Sequence, residues 1–485
     1  MFALYRKPEL KAMNIMDKIV EKRRNLISRE GSTLGEPVPS YRRVPIVPFG
    51  GDPFIICEIK RRSPSRGDIL PEMDAVGQAK KYIQRGIRNI SVLTESEHFG
   101  GSLKDLMDIK QRFPYCAVLR KDFLLQEKDI EVSFRAGADA VLLIASILPM
   151  EELKRMYARA EALGMASLVE VHSKEDVEKV SSIKPAFTGI NSRDLKSFSI
   201  DLAAPLKVKR MIDWPTIHVF ESGITSGEDG ALAFSSGFKG ILVGEAVVKN
   251  PKLIEELKEM ARQSKPNNFW ERLYGIPRRA SRKGPLVKVC GFTRLEDIKA
   301  ADELGADLLG FVLAPSPRRV EPAFIRRVGE TDACKVGVVV MARREKKLDP
   351  QIKELLNEGY LDAIQFHGEE APEDCFSIAF PYYKALRIKE REDLLKIKSC
   401  RCPRVLIDAY STDSMGGTGK RLKGEIVREA SLLNPLWLAG GIKPDNVRKI
   451  IEEFKPELVD ISSGLEDSPG IKNHRKIESF FKEIE

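Results

Sequence analysis

The sequence predicts an α/β protein made of two tandem (β/α)8 barrels, the first with an extra N-terminal helix. Its 485 residues are too many for one hydrophobic core, because single cores stop growing near roughly 250 to 300 residues. Short apolar β-rich runs recur in two series of eight, with amphipathic stretches between them. Strands that alternate with helices form parallel sheet, and eight such units in about 200 to 250 residues close into a barrel.

The elements follow one another in a regular order after a helical opening around residues 13–30. The strands predicted in the first half are PFIICEIK, RNISVLTE, CAVLRKDF, DAVLLIAS, ASLVEVH, FTGIN, IHVFESG and GILVGEA. Those in the second half are LVKVCG, DLLGFVLA, KVGVVVM, DAIQFHG, YKALRI, VLIDAY, LWLAGG and LVDISSG. The pieces between them, such as EELKRMYARAEALG, carry apolar residues at helical spacing and end at glycine, as helix C-termini commonly do.

The stretch RQSKPNNFWERLYGIPRRASRKGP separates the two series and is rich in Pro, Gly, Asn and basic residues. Such a composition is typical of a linker. We therefore predict one domain over residues 1–258, a linker over 259–285 and a second domain over 286–485.

Composition and charge exclude several classes of protein. The hydrophobic content of 42% and charged content of 31% are ordinary for a soluble globular protein, and no apolar stretch approaches the roughly 20 residues that span a bilayer. The N-terminus lacks the features of a signal peptide, so we predict a cytoplasmic protein. The net charge of +9 is spread along the chain, which favours small anionic substrates over nucleic acid.

The seven cysteines are an odd number and are scattered, so they do not form a disulfide framework. Cys400 and Cys402 have no matching His or Cys pair nearby, and we predict no zinc site. Neither a metal nor an organic cofactor is expected.

Each half ends with glycines that follow its seventh and eighth strands: Gly223 and Gly244 in the first half, Gly441 and Gly464 in the second. Barrels often bind phosphate at these loops, because glycine lets backbone N–H groups approach the anion. One such glycine alone would more simply mark a turn, but the pattern occurs twice at matching positions. Glu245 is less expected beside a phosphate, although acids are favoured in the first turn of a helix.

Charged residues stand at the strand ends of the first half. Glu58 and Lys60 share one face of their strand, because side chains alternate along a strand. A structural ion pair would explain these two alone. Further strand ends carry Lys121, Glu170, Asn191, Glu221 and Ser222, which is more polar groups than such a pair requires. We therefore predict an active site with perturbed pKa values at the carboxyl end of this barrel.

The first half resembles the indole-3-glycerol-phosphate synthase family over about residues 1–258, in the motifs CEIKRRSPSRG, VLRKDF, AGADAVLLI, LVEVH, GINSRDL, ESGI and LVGEA. This resemblance implies closure of an indole ring from a phosphorylated carboxyphenylamino-deoxyribulose, with loss of carbon dioxide and water. By resemblance, Lys121 protonates the carbonyl, Glu170 and Glu58 transfer protons, and Lys60 assists loss of hydroxide or binds the departing carboxylate. The remaining residues orient the substrate or hold its phosphate: Asn191, Glu221, Ser222, Arg193, Ser63, Gly223 and Gly244.

In the second half, Cys290 and Asp408 lie at the ends of the first and sixth predicted strands. A free cysteine is usually a buried small hydrophobe. At the catalytic face of a barrel, however, a thiolate base opposite a carboxylic acid suits an isomerisation that needs no cofactor.

Residues 286–485 resemble the phosphoribosylanthranilate isomerase family, in the motifs VKVCGFTRLEDIKAADELGADLLGFVLAPSPRRV, LDAIQFHGEE, GGTGK, LAGGIKPDNV and VDISSGLEDSPGIK. The resemblance implies that Asp408 protonates the ribose ring oxygen and that Cys290 removes the C2 proton. It also implies a binding set, consisting of Arg318 for the anthranilate carboxylate, Gln365 and His367 as pocket lining, and Gly441, Ser463 and Gly464 for phosphate. After GGTGK the chain departs from the family with RLKGEI, which puts the packing of that loop in question.

We thus expect a bifunctional enzyme of tryptophan biosynthesis that acts on small phosphorylated anthranilate derivatives and binds neither nucleic acid nor membrane. Tandem phosphosugar barrels of another pathway, such as histidine-pathway isomerases, are the alternative. Those would be expected to carry Asp at the end of the first strand, where this chain has Glu58 with Lys60 and then Cys290. A catalytically inactive basic barrel that binds RNA is a further alternative, and it would have lost the charges at the mouth.

Overall fold

A computed structural model describes most of the chain. The described residues are 15–64, 67–194, 199–264, 266–275, 284–341, 348–371, 374–375, 380–400, 402–409 and 424–484. The chain divides into two compact units, one ending at Gln263 and the other beginning at Ser264.

The first unit contains a closed barrel of eight parallel strands, as predicted. Each strand pairs with its neighbours in sequence, and the first strand pairs with the eighth, with Cys57 opposite Val243. The strands are β1 Phe54–Ile59, β2 Asn89–Leu93, β3 Ala117–Lys121, β4 Ala140–Ile144, β5 Ala166–Val171, β6 Phe187–Asn191, β7 Ile217–Glu221 and β8 Gly240–Val243.

The second unit repeats this architecture with another closed barrel of eight parallel strands. Here too the first strand pairs with the last, with Val289 opposite Ile461. The strands are β9 Leu286–Cys290, β10 Leu308–Val312, β11 Cys334–Val339, β12 Ala363–Phe366, β13 Tyr382–Ile388, β14 Val405–Ala409, β15 Trp437–Ala439 and β16 Leu458–Ile461. The predicted fold class is confirmed in both halves.

Helices connect the strands, and several begin at the caps that their sequences provide. Ser102, Ser173 and Ser226 each accept a backbone N–H with their side chain at a helix N-terminus. The helices of the first unit are α1 Ile15–Glu30, α2 Ala75–Gln84, α3 Leu103–Arg112, α4 Glu127–Ala136, α5 Met150–Ala162, α6 Lys174–Val180, α7 Ala204–Lys209, α8 Gly227–Ser235, α9 Glu245–Lys249 and α10 Leu253–Gln263. Those of the second are α11 Phe269–Gly275, α12 Leu295–Glu303, α13 Pro322–Arg326, α14 Pro350–Asn357, α15 Leu395–Ser399, α16 Gly424–Leu433, α17 Val447–Phe454 and α18 His474–Ile484.

The interior of the first barrel is layered. Ile56, Leu119, Leu168 and Val219 form part of one buried apolar cluster. Each stands two residues before an inner polar residue of the same strand, so the next layer toward the carboxyl end is charged. Because every second side chain of a strand points inward, an apolar layer lies directly below the polar layer at the carboxyl end of the barrel.

The extra helix α1 is attached to the first barrel by a buried ionic cluster. Asp122, directly after β3, lies 2.9 Å from Arg23 of α1 and 3.0 Å from Arg120, and Thr94 also donates a hydrogen bond to it. The side chains of Asp122 and Arg120 are fully buried and that of Arg23 is 2% exposed. One carboxylate therefore compensates two buried guanidinium groups and holds the helix in place.

The stretch 259–285, predicted as a linker, contains the end of α10 and all of α11. Phe269, Trp270 and Leu273 of α11 are buried. Trp270 contacts Trp437, the first residue of β15, with ring centroids 6.1 Å apart. Arg272 pairs at 2.5 Å with Asp362, which directly precedes β12. Because the stretch is polar overall, its sequence did not predict the short amphipathic helix α11. This helix lies at the amino-terminal ends of the strands in the second barrel.

No helix within the described part of the chain is both long enough and apolar enough to cross a membrane.

We expect Asp122→Ala to lower the free energy of unfolding by roughly 3 to 5 kcal/mol, because it removes the carboxylate that is paired with the buried Arg23 and Arg120. Burial alone would raise the pKa of Asp122, but the two guanidinium groups outweigh it and lower that pKa. The stabilisation is therefore present at neutral pH and is lost as the pH falls through the depressed value. Urea unfolding at several pH values measures both effects.

The matched control for this variant is Glu97→Ala, which breaks the exposed pair between Lys22 of α1 and Glu97. Solvent screens this pair, so we expect little change in stability. Equal losses in the two variants would contradict the assignment of the buried cluster as the attachment of α1.

Candidate active sites

The mouth of the first barrel carries four charged side chains on the inner faces of alternate strands. Glu58 lies on β1, Lys121 ends β3, Glu170 lies on β5 and Glu221 ends β7. The three glutamates are at most 3% exposed. Parallel strands in a closed barrel bring their carboxyl ends together, so Lys121 and Glu221, which are 100 positions apart in sequence, become neighbours.

Lys121 lies between two carboxylates. Its Nζ is 2.8 Å from Glu221 Oε2 and 3.2 Å from Glu170 Oε2. Beside it, Lys60 Nζ lies 2.8 Å from Glu58 Oε1. The mouth thus holds two ammonium groups and three carboxylates in direct contact.

Burial and the charges of neighbouring groups shift the pKa values of these side chains, and the shifts differ in direction. Burial alone would lower the pKa of Lys121, but Glu221, Glu170 and Glu58 outweigh it and raise that pKa, so the lysine stays protonated. Burial and the neighbouring Glu170 raise the pKa of Glu221. The pKa of Glu170 falls, because Lys121 and His172 outweigh its burial. The site therefore presents an ionised Glu170 beside a Glu221 that keeps its proton to higher pH, which equips it for both proton donation and acceptance.

A cavity of about 370 Å³ opens over this cluster. Its walls include apolar side chains from α1 and from the loops, among them Met16, Ile19, Phe99 and Phe123. All the residues predicted for this site line the cavity: Glu58, Lys60, Ser63, Lys121, Glu170, Asn191, Arg193, Glu221, Ser222, Gly223 and Gly244. Apolar walls with a few convergent polar groups are typical of a pocket for a small organic ligand.

The side of the cavity proposed for phosphate is formed by tight backbone turns. Ser222 and Gly223 both have positive φ, 65° and 79°, and such a conformation is strained for serine. A Cβ atom at Gly244 would lie 2.6 Å from Glu58 Oε1, so only glycine fits beside the charged cluster. Among the described residues, the buried Ser63 Oγ has no hydrogen-bond partner. Glu245 is paired with Lys249, and the distance from Lys249 Nζ to Glu245 Oε1 is 2.6 Å.

His172 is a neighbour of the site that sequence reasoning missed. Its Nε2 lies 3.3 Å from Glu170 Oε1, and its proximity contributes to the lowered pKa of Glu170. The signal was available, because His172 stands two residues after Glu170 in LVEVH and so continues the same strand face.

In the second barrel, Cys290 ends β9 on the inner face and is 9% exposed. Lys288, two residues earlier on that face, is fully buried and pairs at 2.6 Å with Asp460 of β16. Burial raises the pKa of the Cys290 thiol, and Lys288 opposes that rise. A Cβ atom at Gly310 would lie 2.6 Å from Cys290 Sγ, so this glycine makes room for the sulfur. The sequence argument missed Lys288, although it shares the strand and the face of Cys290.

Asp408 of β14 lies beside the two residues that were predicted as pocket lining. Its Oδ2 is 3.2 Å from His367 Nε2, and His367 Nδ1 is 2.9 Å from Gln365 Nε2. Gln365 and His367 are therefore hydrogen bonded, and the other side of the His367 ring contacts Asp408, so the three side chains form one polar series.

The guanidinium of Arg318 is held by Glu466, with Nε 2.9 Å from Oε1 and Nη2 2.7 Å from Oε2. Lys472 binds the same carboxylate at 2.8 Å and also donates to the backbone carbonyl of Cys290. A Cβ atom at Gly291 would lie 2.6 Å from Arg318 Cδ, which places the arginine beside the Cys290 loop. Glu466 is 148 residues from Arg318, a pairing that sequence alone does not reveal.

The two glycine loops of the second barrel pack against each other. Gly441 has a φ of 67°, and Gly464 lies in a short 3-10 turn, Ser463–Leu465. A Cβ atom at Gly464 would lie 2.0 Å from the carbonyl oxygen of Ile442, so this close approach requires glycine. The GGTGK motif and the first three residues of the departure that follows it lie outside the described residues, whereas Gly424, Glu425 and Ile426 begin α16.

Within the residues that the structure describes, no group of three or more His, Cys, Asp or Glu side chains could hold a metal ion.

Two family models match the chain in succession. The model described as indole-3-glycerol phosphate synthase matches residues 47–260, and the model described as N-(5'phosphoribosyl)anthranilate (PRA) isomerase matches residues 287–483. Indole-3-glycerol phosphate synthase from Oceanobacillus iheyensis is 37% identical over 246 residues, which is 50% of this chain and 94% of that protein. The chain belongs to the family that fuses these two enzymes.

A "Multifunctional tryptophan biosynthesis protein" of Schizosaccharomyces pombe is 31% identical to this chain over 470 residues, which is 89% of this chain and 59% of that protein. The chain thus spans less than two thirds of that relative's length. In structure, phosphoribosyl anthranilate isomerase from Thermotoga maritima is similar to 41% of the fusion, with 34% identity, 98% of its own chain covered and a TM-score of 0.38.

We expect the fusion to show an infrared band of a protonated carboxyl group at neutral pH that is lost in Glu221→Gln. The reason is the raised pKa of Glu221, which keeps its proton on as the pH passes the ordinary range for glutamate. Glu245→Gln, in the same cavity, is the control and should leave the band unchanged. A band of equal strength in wild type and Glu221→Gln would show that the proton resides elsewhere.

Proposed function

We propose that the chain catalyses two consecutive steps of tryptophan biosynthesis. The second barrel isomerises N-(5-phosphoribosyl)anthranilate to 1-(2-carboxyphenylamino)-1-deoxyribulose 5-phosphate, and the first barrel cyclises and decarboxylates that ketone to indole-3-glycerol phosphate. The observation that carries the proposal is the pair of buried acid–base clusters, each at the carboxyl end of a barrel and within the matching family region. The proposal extends to no other activity of the longer relatives.

In the first barrel, Lys121 is the group that protonates the carbonyl under attack by the aromatic ring. Its ammonium is held by Glu170 and Glu221, which keep it charged and aimed into the cavity. The attacking ring carbon then loses its carboxylate as carbon dioxide, which restores the aromatic ring. As the new hydroxyl group leaves, the ionised Glu170, together with Glu58, accepts the proton of the CH₂ carbon next to the nitrogen. Lys60 stands 2.8 Å from Glu58, where it can bind the departing carboxylate or assist the loss of hydroxide.

The rest of the first cavity serves binding. Asn191, Arg193 and Ser222 orient the substrate from the strand ends and loops of β6 and β7. Backbone N–H groups near Gly223 and Gly244, together with the Ser63 hydroxyl, hold the phosphate.

In the second barrel, Asp408 protonates the ribose ring oxygen, the C1–O bond breaks, and an imine forms. Cys290 takes the C2 proton to give an enolamine, which becomes the ketone by returning to the carbonyl form. The Lys288 ammonium beneath the sulfur stabilises the thiolate that this step needs. Arg318 is shaped for the anthranilate carboxylate, and Gly441, Ser463 and Gly464 form the phosphate loops.

The two steps need only positioned acids, bases and anion-binding sites. We therefore keep the prediction that neither step requires a cofactor. A cytoplasmic location also stays a prediction from the sequence. The direct test is to incubate the purified chain with N-(5-phosphoribosyl)anthranilate and to record loss of anthranilate fluorescence and gain of indole absorbance. Turnover of histidine-pathway phosphosugars instead would favour the alternative pathway.

We expect Cys290→Ala to lower the isomerase rate by a factor of roughly 10² to 10⁴, because the base is removed. Cyclisation of supplied ketone by the other barrel should be unchanged. The fluorescence assay with phosphoribosylanthranilate and the absorbance assay with the ketone measure the two rates separately. Isomerase activity equal to that of wild type would exclude Cys290 as the base.

Conversely, Lys121→Met should abolish indole formation and leave isomerisation unchanged, since it removes the ammonium and keeps the alkyl stem. Lys249→Met is the control, because Lys249 lies in the same cavity but is 58% exposed and paired with Glu245. A mixture of the Cys290→Ala and Lys121→Met chains should recover the overall reaction. Failure of that mixture would contradict two independent sites.

A further inference from the structure

The polar series that ends at Asp408 begins deeper in the second barrel, at Tyr383. Tyr383 lies on β13, is fully buried and donates its hydroxyl proton to Gln365 Oε1 at 3.0 Å. Gln365 is 1% exposed, and its Nε2 lies 2.9 Å from His367 Nδ1. His367 Nε2 then lies 3.2 Å from Asp408 Oδ2. Four side chains from three adjacent strands thus form a continuous polar path.

The surroundings of Tyr383 make it the donor at the start of this path. Burial raises the pKa of Tyr383, so the hydroxyl keeps its proton. The charged groups near it are Lys288, Asp460 and Cys290. The ring is fixed by its edge-to-face contact with Trp437, with centroids 4.9 Å apart.

Donor and acceptor roles then follow along the path. A glutamine amide has one oxygen and one NH₂ group, so an oxygen that faces Tyr383 leaves the NH₂ group facing His367. His367 Nδ1 must therefore accept, and the neutral ring carries its proton on Nε2. The nitrogen that carries this proton lies 3.2 Å from Oδ2 of Asp408.

This arrangement decides which oxygen of Asp408 serves the reaction. Because Oδ2 faces the protonated nitrogen of His367, Oδ1 is the oxygen that we assign to carry a proton toward the substrate. The N–H of His367 also stabilises the carboxylate that remains after the proton has left.

We propose that Tyr383 is a positioning residue of the isomerase, which fixes the tautomer of His367 through Gln365 and thereby orients Asp408. This inference rests on the proposed isomerase function for its kinetic consequence. Its structural consequence, the tautomer, does not depend on that function.

The first test is ¹⁵N NMR of the full chain labelled at its five histidines. Protonated and unprotonated imidazole nitrogens resonate at well-separated frequencies, and the His367 signals are those that vanish in His367→Gln. We expect a proton on Nε2 and none on Nδ1 in the wild type. In Tyr383→Phe the Gln365 amide loses its anchor and can turn its oxygen toward Nδ1, so this pure tautomer should be lost.

The second test is kinetic. Tyr383→Phe keeps the ring that packs on Trp437 and removes one oxygen atom. We expect the isomerase kcat to fall roughly tenfold, about the effect of one buried hydrogen bond, with KM changed less than about twofold. The synthase rate should be unchanged. Tyr382→Phe, the neighbouring residue on the opposite strand face, is the matched control and should retain wild-type kinetics.

Gln365→Glu gives an independent variant should Tyr383→Phe fail to fold. A carboxylate can only accept, so it would draw the proton of His367 to Nδ1 and reproduce the altered tautomer with a reduced kcat. A wild-type proton on Nδ1, or an unchanged tautomer in a folded Tyr383→Phe or Gln365→Glu chain, overturns the inference whatever the activity. If the purified chain has no isomerase activity but the His367 tautomer still changes in Tyr383→Phe, the proposed function is wrong and the link from Tyr383 to His367 is supported.

Discussion

Closure of each sheet by pairing of its first and eighth strands is the constraint on which both sites depend. In a closed barrel of parallel strands, side chains point inward at every second residue, and all carboxyl ends meet at one rim. Inward-facing residues two positions apart therefore lie in successive layers of the barrel. Examples are Leu119 and Lys121 of β3, and Leu168 and Glu170 of β5. Apolar contacts hold the lower layer, and the next layer is positioned for chemistry.

The first barrel contains two kinds of buried charge, which differ in what compensates them. Around Asp122 two guanidinium groups share one carboxylate, and these side chains are at most 2% exposed, so the cluster is structural. Around Lys121 the carboxylates outnumber the ammonium group, and Lys121 is 16% exposed toward the cavity. An excess of like charge in a low-dielectric site separates the pKa values of Glu170 and Glu221. The cluster around Lys121 is thus held in a state that favours proton exchange.

Sequence patterns predict the strands and the charged rim well, because both depend on local periodicity. The positions of Glu58, Glu170 and Cys290 follow from counting residues along apolar runs. Partners from distant strands cannot be found in this way. The pairing of Arg318 with Glu466 and the contact of Tyr383 with Gln365 arise only after the barrel closes. Lys288 and His172 are a different case, since the alternation that identifies Cys290 and Glu170 also places these two on the inner face.

The helix α11 bears on how the fusion could be divided into its halves. Trp270 and Arg272 contact groups at the amino-terminal ends of β15 and β12, and Tyr274 lies 3.4 Å from Glu457 just before β16. An isolated second half that started at Leu286 would expose the indole of Trp437 to water and leave Asp362 without its arginine. Cutting the chain upstream of Phe269 keeps α11 packed on the second unit, in agreement with the division of the chain after Gln263.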